Sequence, residues 1–324
     1  MALPLIGAVV YALLRYPLPP EPLAAALCGY AILLWFRPQA WLVVLPLLIP
    51  TADLTPWTGW IYVQESDLFV AVTLALLLLR TPPRRADLAI GRGSAGVLAF
   101  AVGTYLISLG LGFHHLAGVA DVSDNPYLDT HNALRLAKGL AIPLALLPFL
   151  GRAFRRRADA FALLSWGMIL GLLRVSDAAL LERYVFVDIL DLAVRYRVVA
   201  TFSGMHLGGG QIGAYLAMAL PFLAAGLDPR RHPRRSAAAL IAALFGGFTL
   251  IITFSRTDAV AAAAAICVLA IGHAMAATAR QPRQALRRAI IIGSGGAIAV
   301  GLLAAAANTE FMRLHMSHVA RDLV

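Results

Sequence analysis

An arginine able to bind an anion lies in the segment LIITFSRTDAV, residues 250–260, between two apolar runs. Arg256 and Asp258 are the only formally charged residues in the stretch 236–277. Ser255 and Asp258 fit an S-x-x-D capping box, which begins a helix whose free N–H groups and positive dipole end attract anions. Arg256 adds a guanidinium fork suited to phosphate. Alternatively, Arg256 extends to lipid headgroups and pairs with Asp258.

Arg195 and Arg197 form a second cationic pair, ahead of a glycine-rich segment. Two guanidinium groups so close in the chain can hold a polyanion together. Arg195 also follows Asp191 by four residues, so a helical ion pair worth only about 0.2–0.5 kcal/mol is its alternative role. That alternative accounts less well for Arg197, which lies where the predicted helix gives way to a loop.

Arg135 and Lys138 form a third cationic pair, on one face of the segment HNALRLAKGLAIPLALLPFL. A cation inside an apolar helix costs about 2.5–3.5 kcal/mol, so Lys138 either faces the protein interior or extends outward. Arg256 and these two cationic pairs together predict a site for a polyanion, with diphosphate as the favoured group. The predicted diphosphate-binding residues are Arg135, Lys138, Arg195, Arg197 and Arg256, supported by Ser255, Asp258 and His206.

His206 lies beside the glycines 208–210 and can act as an acid or a base, although a lone loop histidine is more often simply solvated. His315 and His318 are three residues apart, but no cysteine or acidic residue is spaced to complete a metal site. The chain contains no Walker A, H-E-x-x-H or G-x-S-x-G sequence. The sequence therefore predicts no metal and no cofactor.

Composition indicates which elements position these residues. Of 324 residues, 60% are hydrophobic and 14% are charged, against about 45–50% and about 25% in soluble domains. Repeated apolar runs of membrane-spanning length predict an all-α polytopic membrane bundle of about 10–11 spans. The predicted spans are 2–16, 22–36, 39–50, 67–80, 94–116, 134–150, 159–174, 211–227, 237–254, 258–278 and 289–307.

Orientation follows from the arginines, which cluster in short loops between the spans. These clusters predict cytoplasmic loops and anionic-lipid contact, and they explain the net charge of +10 without nucleic acid. The intervening loops, including 175–210 and the turn 254–258, then face the periplasm. In the first of them, SDAALLERYVFVDILDLAVRYR carries apolar residues at helical spacing, which predicts an amphipathic helix lying flat in the membrane interface.

The same reasoning divides the chain into three parts. Residues 1–93 form short membrane hairpins and a basic cytoplasmic loop. Residues 94–307 form the membrane core with its periplasmic loop, and 308–324 begin a periplasmic segment.

Two segments resemble the O-antigen ligase family, which is grouped with Wzy-type polymerases. They are RVVATFSGMHLGGGQIGAYLAMALPFLAAG and FTLIITFSRTDAVAAAAAICVLAIG, and the likeness covers roughly residues 94–324. It implies a metal-independent glycosyltransferase of the bacterial inner membrane, active in lipopolysaccharide or exopolysaccharide biosynthesis. Its partners would be an undecaprenyl-diphosphate-linked glycan donor and a glycan or lipid acceptor at the periplasmic face. Arg197 and Arg256 would then bind the diphosphate leaving group.

The chain departs from the family pattern at two places. Residues 203–206 read Ser-Gly-Met-His where many members have Asn-Pro-Asn. The family's proposed catalytic histidine lies in a periplasmic loop beyond the last span present here. We therefore expect either an incomplete, inactive chain that binds the donor without transferring the glycan, or a chain in which His315 or His318 substitutes for that histidine. The catalytic base is not identified. The alternative function is a transporter or flippase for a lipid-linked or anionic substrate. A third alternative is a structural membrane subunit whose arginines only extend to the lipid headgroups.

Overall fold

The computed structural model describes residues 2–52, 54, 58–60, 63–82, 91–116, 132–192, 194, 196–202, 210–226 and 233–278. Within these ranges the regular structure is entirely helical. The α-helices are α1 (Ala2–Leu14), α2 (Glu21–Phe36), α3 (Trp41–Leu48), α4 (Glu65–Arg80), α5 (Arg92–Leu116), α6 (Asn132–Arg156), α7 (Ala160–Phe186), α8 (Gly210–Ala219), α9 (Leu223–Gly226), α10 (Pro233–Ile252) and α11 (Arg256–Thr278), with a 3-10 turn at Leu220–Phe222.

Among the described residues, four helical segments are long and apolar enough to cross a membrane. They are Gly93–Phe113, Ala137–Arg156, Ala160–Phe186 and Pro233–Ile252. Each predicted span from 2–16 to 258–278 coincides with helical structure, whereas 289–307 lies outside the described residues. The predicted total of about 10–11 crossings stays a prediction.

The chain forms two compact units, Met1–Gly167 and Met168–Val324, and the division falls inside α7. The division predicted after residue 93 followed loop charge rather than packing, and it stays a prediction. The predicted segment 308–324 lies outside the described residues.

The first unit is built around α4, which packs against α1, α2, α3 and α6. Its core is aliphatic and aromatic, with Leu34 and Leu42 almost fully buried. One polar pair lies within it: the hydroxyls of Tyr30 and Thr73 are 2.8 Å apart, so burial leaves neither unsatisfied. Gln64 and Asp67 form a reciprocal capping box at the start of α4.

The second unit pairs α8 with α11 and places α9 on α10. Small residues permit these close approaches. A β-carbon on Gly226 of α9 would lie 2.8 Å from the Cβ atom of Ala239 in α10, which is closer than such atoms normally approach. Ile252 and Leu216 are fully buried, so the apolar face of each helix is turned toward this unit's own core.

The predicted interfacial helix is wrong. Helix α7 runs without interruption from Ala160 to Phe186. The first half of the segment 176–197, for which the sequence predicts a helix lying flat, is therefore the end of α7. No proline or glycine lies between residues 172 and 186 to end it earlier. After Phe186 the described residues up to 202 are not helical, and Asp188 and Asp191 lie in that irregular part. The loop's backbone groups instead bond to side chains at the end of α7, as described below.

Candidate functional site

The turn between α10 and α11 has the predicted helix–turn–helix form. Helix α10 ends at Ile252 and α11 begins at Arg256. Phe254, in the turn, has φ of 51°, in the left-handed region that non-glycine residues rarely occupy. The side chain of Arg256 lies outside the described residues, whereas its backbone opens α11.

The cap predicted for α11 is present on its Ser255 side. The amide N–H of Asp258 donates to Oγ of Ser255 at 3.3 Å, which satisfies one of the free donors of the first turn. The carboxyl group of Asp258 is turned inward and is 7% exposed. Its Oδ2 atom has no hydrogen-bond partner among the described residues.

The Asp258 carboxyl group lies against the backbone of Gly213 in α8. A β-carbon on Gly213 would lie 1.7 Å from Oδ2 of Asp258, so only glycine leaves room for the carboxyl group in this position. Asp258 therefore helps to set how closely α8 and α11 approach. This packing role differs from the role predicted from the sequence, in which Asp258 supports an anion site.

A residue that the sequence reasoning did not select, Arg183, lies at the centre of this region. It is fully buried near the C-terminal end of α7. Its guanidinium donates to three backbone carbonyls of the following loop, at Ile189 (3.4 Å), Tyr196 (3.1 Å) and Asp191. Its Cζ atom also lies 5.5 Å from the centroid of the Phe254 ring, within cation–π range. Arg183 therefore contacts both the loop and the turn.

The neighbouring Glu182 binds a later part of the same loop. Its carboxylate accepts hydrogen bonds from the hydroxyl of Tyr196 at 2.9 Å and from the amides of Val199 and Ala200 at 2.9 and 2.6 Å. Burial, and then the hydrogen bond and negative charge of Glu182, raise the pKa of Tyr196 to about 12. The loop is thus held on the end of α7 by two adjacent side chains.

Arg197 lies in this held part of the loop. It is exposed, while Val198 next to it is fully buried. Because Arg183 bonds to the carbonyl of Tyr196 and lies over Phe254, the segment with Arg197 and the turn before Arg256 adjoin the same buried guanidinium. Arg195 and His206 lie outside the described residues.

Lys138 is part of the first unit and forms an ion pair there. Its Nζ atom lies 2.5 Å from Oδ2 of Asp67 and 3.4 Å from Oε1 of Gln64. These contacts join α6 to the cap of α4, which favours a structural role for Lys138. Arg135 lies on α6, with its side chain outside the described residues. The assignment of both residues to a diphosphate site stays a prediction.

No protein-family model, curated protein or solved structure matches this chain. In the residues that the structure describes, the fold is all-helical, and four of its helices are suited to membrane crossing. The candidate site is the corner of the second unit formed by the loop 187–202, the turn 253–255 and the start of α11.

Proposed function

We propose that this protein transfers a glycan from undecaprenyl diphosphate to an acceptor at the periplasmic face of the bacterial inner membrane. The observation that carries this proposal is the contact of Arg183 with both Tyr196 and Phe254. Through it, the segment of Arg197 and the turn of Arg256 belong to one corner of the second unit. The motif resemblance assigns these two arginines, far apart in sequence, to a single diphosphate.

The proposed chemistry needs cations where negative charge develops. An acceptor hydroxyl attacks the anomeric carbon, the bond from that carbon to the diphosphate oxygen breaks, and the hydroxyl proton leaves to a base that is not assigned. Guanidinium groups of Arg197 and Arg256 would stabilise the departing diphosphate, and the first amides of α11 would add their dipole. Apolar helices would hold the polyprenyl chain.

Photo-crosslinking with an undecaprenyl-diphosphate analogue tests the donor site. We expect wild-type protein to be labelled and labelling to fall at least about tenfold in Arg256→Ala and Arg197→Ala, since each loses a charge-assisted hydrogen bond worth about 1.5–3 kcal/mol. Arg157→Ala is a matched control, because Arg157 is an exposed arginine whose ion pair is with Asp159, two residues away. Undiminished labelling in both site variants would end the assignment.

Transport of a lipid-linked or anionic substrate is the competing function. It is tested by uptake into vesicles that contain the purified chain. Uptake that survives Arg256→Ala would favour transport and count against the transferase. Restoration of surface polysaccharide in a defective strain by this protein, lost again with Arg256→Ala, would favour the transferase.

A further inference from the structure

Arg183 is a buried cation that has no acidic partner in the part of the chain that the structure describes. Its side chain is fully buried, and no carboxylate among the described residues forms an ion pair with it. A buried charge is costly unless hydrogen bonds compensate for it. Here the compensation comes from the carbonyls of Ile189, Asp191 and Tyr196 and from the face of the Phe254 ring.

These partners belong to two different segments. The carbonyls lie six, eight and thirteen residues after Arg183, all in the loop, whereas Phe254 lies in the turn before α11. The guanidinium is planar and presents its donors in fixed directions, so it fits one arrangement of the loop carbonyls. Any movement of the loop away from α7 would leave a buried charge without its acceptors.

The left-handed backbone at Phe254 agrees with such a constraint. A non-glycine residue in this conformation costs of order 1 kcal/mol or more and persists where its surroundings hold it. The contact of its ring with the buried guanidinium is an interaction that glycine could not make. Arg183 therefore contacts both segments: it binds the carbonyls of the loop and lies against the Phe254 ring of the turn.

We propose that Arg183 is a positioning residue that holds the segment of Arg197 beside the turn of Arg256 and so forms the diphosphate site. This inference rests on the proposed function. Arg183 is fully buried, so we assign it no direct contact with the donor. Glu182 assists by binding the amides of Val199 and Ala200 further along the loop.

Arg183→Lys would keep the positive charge and lose the planar guanidinium group with its several donors. A single ammonium group cannot reach three carbonyls in the guanidinium arrangement. In Arg183→Lys we expect faster hydrogen exchange in residues 196–202. We also expect the analogue concentration for half-maximal labelling to rise about tenfold or more, with maximal labelling preserved, because the loss of a charged hydrogen bond corresponds to about that factor.

The experiment combines hydrogen-exchange mass spectrometry and analogue labelling on the full chain in lipid nanodiscs. Phe254→Leu is a second variant, which removes the ring and keeps every carbonyl bond, and it should shift both readouts in the same direction. It also keeps the test decisive if Arg183→Lys does not fold. Arg174→Lys is the matched control, since Arg174 lies on the same helix, is exposed and pairs with Asp177 at 2.6 Å.

The outcomes separate this inference from the function it rests on. Faster exchange together with weaker labelling in the two variants, and neither in Arg174→Lys, supports the positioning role. Faster exchange with unchanged half-maximal labelling overturns it and leaves the transferase proposal standing. Unchanged exchange also overturns it. Absence of labelling in wild-type protein overturns the proposed function and the positioning role with it.

Discussion

At the start of α11, a buried carboxyl group occupies the space that a side chain at position 213 would need. Oδ2 of Asp258 is buried without a hydrogen-bond partner among the described residues. The backbone of Gly213 lies directly against it. The carboxyl group and the glycine therefore depend on each other: the glycine admits the carboxyl group, and the carboxyl group fills the gap that the glycine leaves.

Gly213→Ala should destabilise the protein by about 1–3 kcal/mol, because the new methyl group forces the Asp258 carboxyl group out of its position. The measurement is thermal unfolding of the purified protein in detergent, followed by circular dichroism. Gly247→Ala is the control, since a β-carbon there meets nothing within 4 Å. That change should stabilise α10 by about 0.5–1 kcal/mol.

Asp258→Ala in the Gly213→Ala background should recover most of the loss, because the smaller side chain leaves room for the methyl group. An equal loss in the presence and absence of the Asp258 carboxyl group would show that the two residues do not compete for space.

At the scale of elements, Lys138 joins α6 to the start of α4 through Asp67. Asp67 also accepts a hydrogen bond from the amide of Gln64, at 2.8 Å, as part of the α4 cap. The Asp67 carboxylate thus both caps α4 and forms an ion pair with Lys138 of α6. Both charged side chains are about one-fifth exposed, so the pair is only partly screened by solvent.

Lys138→Met and Asp67→Asn should each lower the melting temperature, and their effects should be less than additive, with a coupling energy of about 0.2–1 kcal/mol. Donor-analogue labelling should be unchanged in Lys138→Met if the lysine serves only this pair. The control for labelling is Arg197→Ala. A loss of labelling in Lys138→Met, with normal labelling in Asp67→Asn, would instead place Lys138 in the diphosphate site.

Most helices were predictable from the sequence because apolar runs separated by charged loops mark them clearly. The span predicted at 134–150 falls inside Asn132–Arg156, and that at 94–116 almost coincides with Arg92–Leu116. The continuation of α7 as far as Phe186 was not predictable in this way. Apolar residues at helical spacing look the same whether a helix continues past the membrane or lies flat on it.

The candidate site was predictable only in part. The capping bond of Ser255 follows from local sequence spacing, and it is present. The contacts of Arg183 are not local, since its three carbonyl partners are brought together by an irregular loop of no fixed period. Its one sequence signal was an arginine near the end of an apolar helix, where side chains often bond to free carbonyls.

At the scale of the whole molecule, the arrangement of arginine-rich loops predicts which residues share a side of the membrane. Arg157 precedes α7 and Arg197 follows it, and both are exposed. If α7 crosses the membrane once, these two positions lie on opposite sides. The proposed function requires Arg197 on the periplasmic side.

Arg157→Cys and Arg197→Cys test this topology in a chain whose native Cys28 and Cys267 are replaced by serine. A membrane-impermeant maleimide should label Arg197→Cys in intact spheroplasts, and Arg157→Cys only after permeabilisation. Labelling of both after permeabilisation is the control for reactivity. Labelling of both before permeabilisation would contradict a single crossing by α7.

The length of α7 has a consequence for the lipid around it. Its 27 residues extend about 40 Å, compared with a hydrocarbon layer of about 30 Å. Unless tilt absorbs the difference, roughly two turns project, and the Glu182–Arg183 end is among them. Longer acyl chains would then lower this corner toward the headgroups. Under the proposed function, the height at which a sugar acceptor meets its donor would therefore depend on bilayer thickness.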